Sequence, residues 1–215
     1  MPLILNRIID KNTLLGLWKI DEEAENLRKQ AELDNTEELA YTSFKSEIRK
    51  KQWLSYRILL KKMLYPQSVT LEYDAYGKPF LKNNAHFISI SHSGDYSSVI
   101  ISKSDPVGID IERLKERIHR IKDRFLTTGE DQMIGNSNRL EKLYIAWGAK
   151  EAVYKIHGRP DVDFQHDIRI LTIDYLCTEK GNCTAVMNAS GIQEEFTVTY
   201  ERIEDYMLVY ALKKM

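Results

Sequence analysis

The chain has 215 residues and a formal net charge of −1, with 43% hydrophobic and 29% charged residues. This composition is typical of an ordinary soluble globular protein with a substantial core, and the nearly neutral charge argues against nucleic-acid binding through overall charge. The apolar run at the amino terminus stops at Asn6 and Arg7, too early for a signal peptide or a membrane span, so we predict a first strand and a cytoplasmic protein. Cys177 and Cys183 fit neither a metal knuckle nor a disulfide framework, which predicts two reduced thiols.

The first half of the chain predicts two helices and then short strands. A charged surface helix is expected over 21–33, and a longer amphipathic helix over 45–64 that ends at Tyr65-Pro66. The longer helix carries seven cations against Glu47 alone, so its basic face is either solvated or a cradle for an anion such as phosphate. The predicted strands are 69–73, 80–81, 87–91 and 97–102, and the last two form a hairpin around Gly94-Asp95. His92 lies in that hairpin, as a hydrogen-bonded turn histidine or as a functional group.

The stretch VGIDIER at Val107–Arg113 places two carboxylates in an apolar strand. Residues two apart in a strand point to the same face, so Asp110 and Glu112 should lie side by side. Two like charges in such a place favour a bound hard cation such as Mg2+. The alternative is a solvated strand end whose carboxylates pair with Arg113 or Lys115.

The second half predicts one short helix, one long helix and four strands. FLTTGE at 125–130 should start a helix that Thr127 or Thr128 caps, and the long helix should span 137–157 and end at Gly158. Glu151 and Lys155 lie on one face of the long helix, although such pairs are common in any helix. The predicted strands are 168–173, 184–187, 196–200 and 207–212, with turns at Gly181-Asn182 and at Gly191.

Each half thus offers a long helix followed by a meander of strands. The sequence predicts an α+β fold of two similar, pseudo-symmetric lobes, each a long helix packed on an antiparallel meander. We expect an N-terminal lobe over 1–105 and a C-terminal lobe over 106–215, closely packed because no linker rich in Pro, Gly or Ser separates them.

Five motifs occur in a distinctive order: GKP at 77–79, ISHSG at 90–94, VGIDIE at 107–112, FLTTGE at 125–130 and WGAKEAVYK at 147–155. In this order and spacing the chain resembles the 4'-phosphopantetheinyl transferases, specifically the two-lobed type that activates peptide and polyketide synthetases. The resemblance implies a monomeric enzyme with its active site in the cleft between the lobes. It would move the phosphopantetheine arm of coenzyme A onto a serine of an apo acyl, peptidyl or aryl carrier protein, with Mg2+, and release 3',5'-adenosine diphosphate.

The resemblance also implies roles for individual residues. The metal ligands would be Asp110, Glu112 and Glu151. The catalytic groups would be Glu151, as base directly or through a water on the metal, Lys155 and His92, with Lys150 also neutralising the phosphates. The remaining coenzyme contacts would be Lys45, Arg49 and Lys51 at the 3'-phosphate, Gly77, Lys78 and Pro79 at the adenine end, and Ser91. The alternatives are a non-catalytic coenzyme A-binding protein with this fold, or another metal-dependent nucleotide enzyme, a class that usually carries denser Asp/His clusters or a P-loop.

Overall fold

A computed structural model describes residues 3–67, 69–82, 86–173, 175, 179–189 and 191–213. Over these residues the fold is mixed α and β with antiparallel sheets, as the sequence predicts. In chain order the elements are β1 (Leu3–Ile8), β2 (Thr13–Lys19), α1 (Ala24–Ala31), α2 (Asn35–Ser43), α3 (Glu47–Leu64), β3 (Leu71–Tyr73), β4 (Pro79–Leu81), β5 (Phe87–Ser93), β6 (Tyr96–Ser102), β7 (Val107–Arg113), α4 (Thr128–Ile134), α5 (Arg139–His157), β8 (Ile168–Ile173), β9 (Lys180–Ala189), β10 (Ile192–Ile203) and β11 (Tyr206–Lys213). Short 3-10 helices span Glu116–Arg120 and Lys122–Arg124.

The strands form two main antiparallel sheets. The first has the order β1-β2-β6-β5 and the second has the order β7-β11-β10-β9-β8, while β3 and β4 form a separate hairpin. Helix α3 packs on the first sheet through a core that includes Trp18, Leu54 and Leu59, and α5 packs on the second sheet. The other faces of the two sheets meet in a third apolar cluster. Strands β5 and β7 are therefore edge strands that lie where the two sheets meet.

Strand β2 is the main element that sequence analysis missed. Alternate side chains of TLLGLWK contact different cores: Trp18 packs towards α3, whereas Leu15 and Leu17 lie in the cluster between the sheets. Because both faces are covered, the strand has no alternation of apolar and polar residues for the sequence to reveal. The helix predicted over 21–33 is also shorter than expected, and α2 is a separate helix with a capping box formed by Asp34 and Glu37.

The predicted turn at Gly181-Asn182 is wrong. Both residues lie inside β9, where Gly181 pairs with Tyr200 and Asn182 with Thr199 of β10. A Cβ atom at Gly181 would come within 2.1 Å of the Tyr200 hydroxyl, so the glycine makes room for a neighbouring ring. The turn predicted at Gly191, by contrast, is present at φ 78°.

The caps of α4 and α5 follow the prediction. The Thr127 hydroxyl accepts a hydrogen bond from the Glu130 backbone N–H group, and the Glu130 carboxylate accepts one from the Thr127 backbone N–H group, which forms a capping box at the start of α4. Helix α5 ends at Gly158 with φ 74°. Cys183 is buried and unpaired, whereas Cys177 lies outside the described residues. None of the helices described here is both long and apolar enough to cross a membrane.

Candidate active site

Serine hydroxyls join the two edge strands. Alternate residues of β5 present their side chains to β7, and each hydroxyl accepts a hydrogen bond from an alternate backbone N–H group of that strand. The three pairs are Ser89 with Ile109 at 3.1 Å, Ser91 with Ile111 at 3.2 Å, and Ser93 with Arg113 at 3.3 Å. We call these three hydroxyls the serine ladder. It connects the first sheet to the second without a backbone ladder between them.

The carboxylate of Asp110 lies beside this ladder and is buried, with 5% of the residue exposed. Its Oδ1 accepts hydrogen bonds from Ser91 Oγ at 2.8 Å and from Lys155 Nζ at 2.9 Å. Its Oδ2 is also buried and has no hydrogen-bond partner among the described residues. A buried carboxylate oxygen of this kind is costly unless a cation or a donor approaches it.

Glu112 is the second carboxylate of β7, and its Oε2 accepts a hydrogen bond from Ser93 Oγ at 2.8 Å. Burial and the charge of Asp110 raise its pKa, although the Ser93 hydrogen bond opposes the shift. Arg113 pairs with Asp205 at 2.6 Å and with neither of these carboxylates. The interpretation of Asp110 as part of a solvated strand end is therefore wrong.

Helix α5 brings Glu151 and Lys155 to the same place. Burial, followed by the charges of Asp110 and Glu112, raises the pKa of Glu151 to about 7, although Lys155 opposes this shift. Lys155 Nζ also donates to the backbone carbonyl of Ile109 at 2.8 Å, which holds α5 against β7. The three carboxylates thus influence one another electrostatically around a single ammonium group.

This donor set suits Mg2+ only with help from other ligands. Among the residues that the structure describes, no three His, Cys, Asp or Glu side chains converge closely enough to hold a metal ion unaided. Mg2+ usually takes one or two carboxylates and completes its octahedron with waters and substrate phosphates. The unpartnered oxygen of Asp110, flanked by two carboxylates with raised pKa values, fits that pattern.

His92 and Arg49 meet on the first-sheet side of the site. Arg49 Nη1, from the first turn of α3, contacts His92 Nε2, and the Tyr56 ring stacks on the imidazole at 6.2 Å between ring centroids. Burial, followed by the charges of Arg49 and Lys155, lowers the pKa of His92 to about 4. The imidazole is therefore neutral and close to two cations, an arrangement that an anion would stabilise.

The GKP turn borders a cavity next to this cluster. Gly77 adopts φ 81°, and Lys78 Nζ donates to the Ile156 carbonyl at 2.6 Å, which fastens the turn to the end of α5. The cavity is about 200 Å³ in volume and is lined by the turn, Ile88–Ile90 of β5, Tyr154, Lys155 and Gly158. A larger cavity of about 540 Å³ shares Lys78 and Pro79 but, unlike the smaller one, is not lined by Lys155. The smaller cavity is the one that adjoins the site.

A family model of the 4'-phosphopantetheinyl transferase superfamily matches residues 106–211. Over these residues the chain is similar to that superfamily. The curated relatives include three 4'-phosphopantetheinyl transferases. The protein ffp of Bacillus subtilis is 36% identical over 39% of this chain and 39% of its own length, and gsp of Aneurinibacillus migulanus is 32% identical over 43% of this chain and 40% of its own length. AcpT of Escherichia coli K12 is 30% identical over 51% of this chain and 59% of its own length. The chain spans about half the length of the curated relatives that it matches.

The region that the family model matches contains β7 and α5, and with them all three predicted metal ligands and Lys155. Arg49, His92 and the GKP turn come from the part of the chain before residue 106. Of the residues predicted at the 3'-phosphate, only Arg49 contacts His92. Lys51 pairs with Glu23 at 3.0 Å, and Lys45 is exposed on the segment before α3.

The position of Lys150 corrects one of the predicted site roles. Its side chain is fully buried, lies 2.9 Å from Glu130 and donates to the Phe164 carbonyl at 2.8 Å. Glu130 in turn accepts from the Ile170 backbone at 2.8 Å, so the pair ties α4, α5 and β8 together. The prediction that Lys150 neutralises phosphates is wrong, because its ammonium has no exposed surface and its donors are used in the core.

Sequence analysis missed two residues that support this site. Ser93 holds Glu112, and Tyr56 stacks on His92 while its hydroxyl lies 2.9 Å from that of Tyr73. A pattern in the sequence of β5 could have identified the first: serine at every second position of FISISHS places hydroxyls on one face of a strand. Ser91, which was predicted to bind the coenzyme, uses its proton on Asp110.

Proposed function

We propose that this protein transfers the 4'-phosphopantetheine group from coenzyme A to a serine of an apo carrier protein, with Mg2+, and releases 3',5'-adenosine diphosphate. One observation carries the proposal: the buried, unpartnered oxygen of Asp110 lies in a carboxylate and lysine cluster within the region that the transferase family model matches. The names of the matched relatives support the same reaction.

In this proposal Asp110, Glu112 and Glu151 hold Mg2+, together with waters and the diphosphate of coenzyme A. When bound, the ion would supply positive charge to that diphosphate. The Ser91 hydroxyl and the Lys155 ammonium both bind Oδ1 of Asp110, and so they leave Oδ2 for the ion.

The coenzyme phosphates would lie between Lys155 and the pair of Arg49 and His92. Lys155 is partly exposed, with 26% of its side chain accessible, and its ammonium group has three donors, of which two are used on Asp110 and on the Ile109 carbonyl. The third donor can stabilise the negative charge that gathers on the leaving phosphate. A phosphate between Arg49 and His92 would also raise the pKa of His92, since the nearby cations would then be neutralised.

The carrier serine needs a base, and we assign that role to Glu151. Burial and the neighbouring carboxylates raise its pKa to about 7 in the metal-free protein, and a bound cation would lower that pKa again. In the reaction the serine oxygen attacks the phosphorus that bears the pantetheine arm, and the bond from that phosphorus to the bridging oxygen of the diphosphate breaks. The serine proton passes to Glu151, directly or through a water, and 3',5'-adenosine diphosphate leaves with the bridging oxygen.

The proposal extends to the organisation of the chain. Residues 1–105 and 106–215 would form two similar lobes, since α3 packs on one sheet and α5 on the other. The coenzyme would lie in the cleft between them, with its adenine end at the GKP turn. We propose that the protein acts as a monomer in the cytoplasm, on carrier proteins of the acyl, peptidyl or aryl class.

Intact mass spectrometry tests the reaction. A panel of folded apo carrier proteins is incubated with the protein, coenzyme A and Mg2+, and we expect at least one carrier to gain a single phosphopantetheine group. The matched controls are the same carrier with its acceptor serine changed to alanine, and the complete reaction with a chelator. Failure with every carrier, combined with calorimetric binding of coenzyme A, would overturn the proposal in favour of a non-catalytic coenzyme A-binding protein.

A further inference from the structure

The serine ladder does two things where it meets a carboxylate. Ser91 accepts a hydrogen bond from the Ile111 N–H group and donates to Asp110, the residue before Ile111. Ser93 repeats the pattern one step along: it accepts from the Arg113 N–H group and donates to Glu112. Each hydroxyl is therefore fixed by the backbone of β7 and directs its one proton at the preceding side chain.

The third position of the ladder shows what happens without a carboxylate. Ser89 accepts from the Ile109 N–H group, but the residue before Ile109 is Gly108. A Cβ atom at Gly108 would come within 1.9 Å of the Ala152 carbonyl oxygen, so no side chain fits where α5 crosses β7. Ser89 thus joins the strands without orienting an acid, which makes it a natural comparison for Ser93.

Glu112 also has a competing partner. The guanidinium of Arg117 acts on it electrostatically, and the two residues line a cavity of about 80 Å³ together with Ile118 and Trp147. A glutamate side chain has several rotamers, and attraction to Arg117 favours those that point into this cavity. The Ser93 hydrogen bond at 2.8 Å favours the arrangement beside the β5 strand instead.

We infer that Ser93 is a positioning residue that holds Glu112 in the arrangement needed to bind a divalent cation together with Asp110. The inference rests on the proposed function, because it assigns a supporting residue to the cation site proposed there. Ser93 uses one oxygen of Glu112, Oε2, and leaves Oε1 for the ion. Partners that orient metal ligands in this way commonly change cation affinity when they are removed.

The test compares Ser93→Ala with Ser89→Ala in the full chain. Each variant removes one hydrogen bond to the backbone of β7, and Ser93→Ala also removes the hydrogen bond to Glu112. Urea unfolding with a chelator present checks that both variants are folded. Mn2+ affinity, measured by electron paramagnetic resonance without coenzyme A, should fall about 10- to 100-fold in Ser93→Ala but stay near the unmodified value in Ser89→Ala. Ser93→Thr keeps the hydroxyl and should restore the affinity.

Ser93→Cys provides a second variant of nearly the same size with only a weak donor, in case the alanine variant does not fold. It should also bind Mn2+ more weakly than the unmodified protein does. If a Ser93 variant (Ser93→Ala, or Ser93→Cys in its place) binds Mn2+ as tightly as Ser89→Ala does, the inference is overturned. The proposed cation site would remain intact in that case. If the unmodified protein binds no Mn2+, or binds it no better than Asp110→Ala does, the proposed cation site is wrong and the inference fails with it.

Discussion

Glu151→Gln should make the metal-free protein more stable at pH 8 and not at pH 4.5. The pKa of Glu151 is raised from 4.5 to about 7, so the folded protein favours the neutral acid. The stability that this proton contributes is fully present below the unfolded pKa of 4.5 and is lost as the pH rises through 7. At pH 8 the unmodified protein therefore carries the whole cost of a buried charge beside two other carboxylates. Glutamine has a similar shape and cannot ionise.

The size of the effect follows from the pKa shift. Each pKa unit corresponds to about 1.4 kcal/mol, so the upper bound on the gain in the free energy of unfolding is roughly 3 kcal/mol. For a chain of this size that corresponds to roughly 6–12 °C in melting temperature. Lys155 opposes the shift, and the shift to about 7 already includes its effect.

Urea unfolding at pH 4.5 and pH 8 with a chelator measures the difference, and the same experiment with Mg2+ provides the control. Added Mg2+ should stabilise the unmodified protein more than it stabilises Glu151→Gln, because the ion offsets the negative charge of Glu151, which glutamine lacks. In the same variant kcat should fall at least about a hundredfold, since glutamine neither binds the ion as a carboxylate nor accepts a proton. If Glu151→Gln is no more stable than the unmodified protein at pH 8, the reasoning is refuted. The attraction between Glu151 and Lys155 would then outweigh the repulsion from the other two carboxylates and the cost of burial.

Three further predictions separate function from structure. Asp110→Ala should abolish transfer with little change in melting temperature, and turnover near the unmodified rate in saturating Mg2+ would contradict the metal assignment. Arg49→Met should weaken the preference for coenzyme A over dephospho-coenzyme A by about tenfold or more, which is the value of one charge-assisted contact. Lys51→Met should leave this preference unchanged. Equal preferences in the two variants, measured as ratios of kcat/KM, would count against Arg49. Lys150→Met should cost about 3–5 kcal/mol in unfolding free energy, because Glu130 is left buried without its cation, while kcat per folded molecule stays unchanged; a kcat defect without loss of stability would restore the phosphate role.

The fold was predictable where one residue pattern had one explanation. Helix α5 has an end that Gly158 marks and an apolar face that repeats every turn, and β7 has three β-branched residues at alternate positions. The sequence of β2 has no such contrast, since one of its faces packs on α3 and the other on the second sheet. Gly181 has two possible explanations, a turn or a close approach to a ring. Only the pairing of β9 with β10 distinguishes them.

The site was predictable from motifs to the extent that neighbours in sequence share a direction. Glu151 and Lys155 are one turn apart on α5 and face the same carboxylates. Lys150 belongs to the same motif, but one step along a helix turns a side chain by about 100°, which carries it into the core beside Glu130. The motif therefore identified the helix correctly and gave one of its lysines the wrong partner. Ser93 was missed because its importance depends on β7, which only the folded chain brings beside it.

The way in which β5 meets β7 explains why the carboxylates gather here. Both are edge strands of their sheets, and an exposed edge normally invites pairing with another strand. The N–H groups of Ile109, Ile111 and Arg113 are instead satisfied by the serine ladder, so β5 presents a row of side chains to β7 rather than its own backbone edge. A row of hydroxyls both closes the edge and offers protons to neighbouring acids, which a backbone ladder could not do. The contact that joins the two sheets is thus also the contact that orients Asp110 and Glu112, and we expect a change that loosens one to disturb the other.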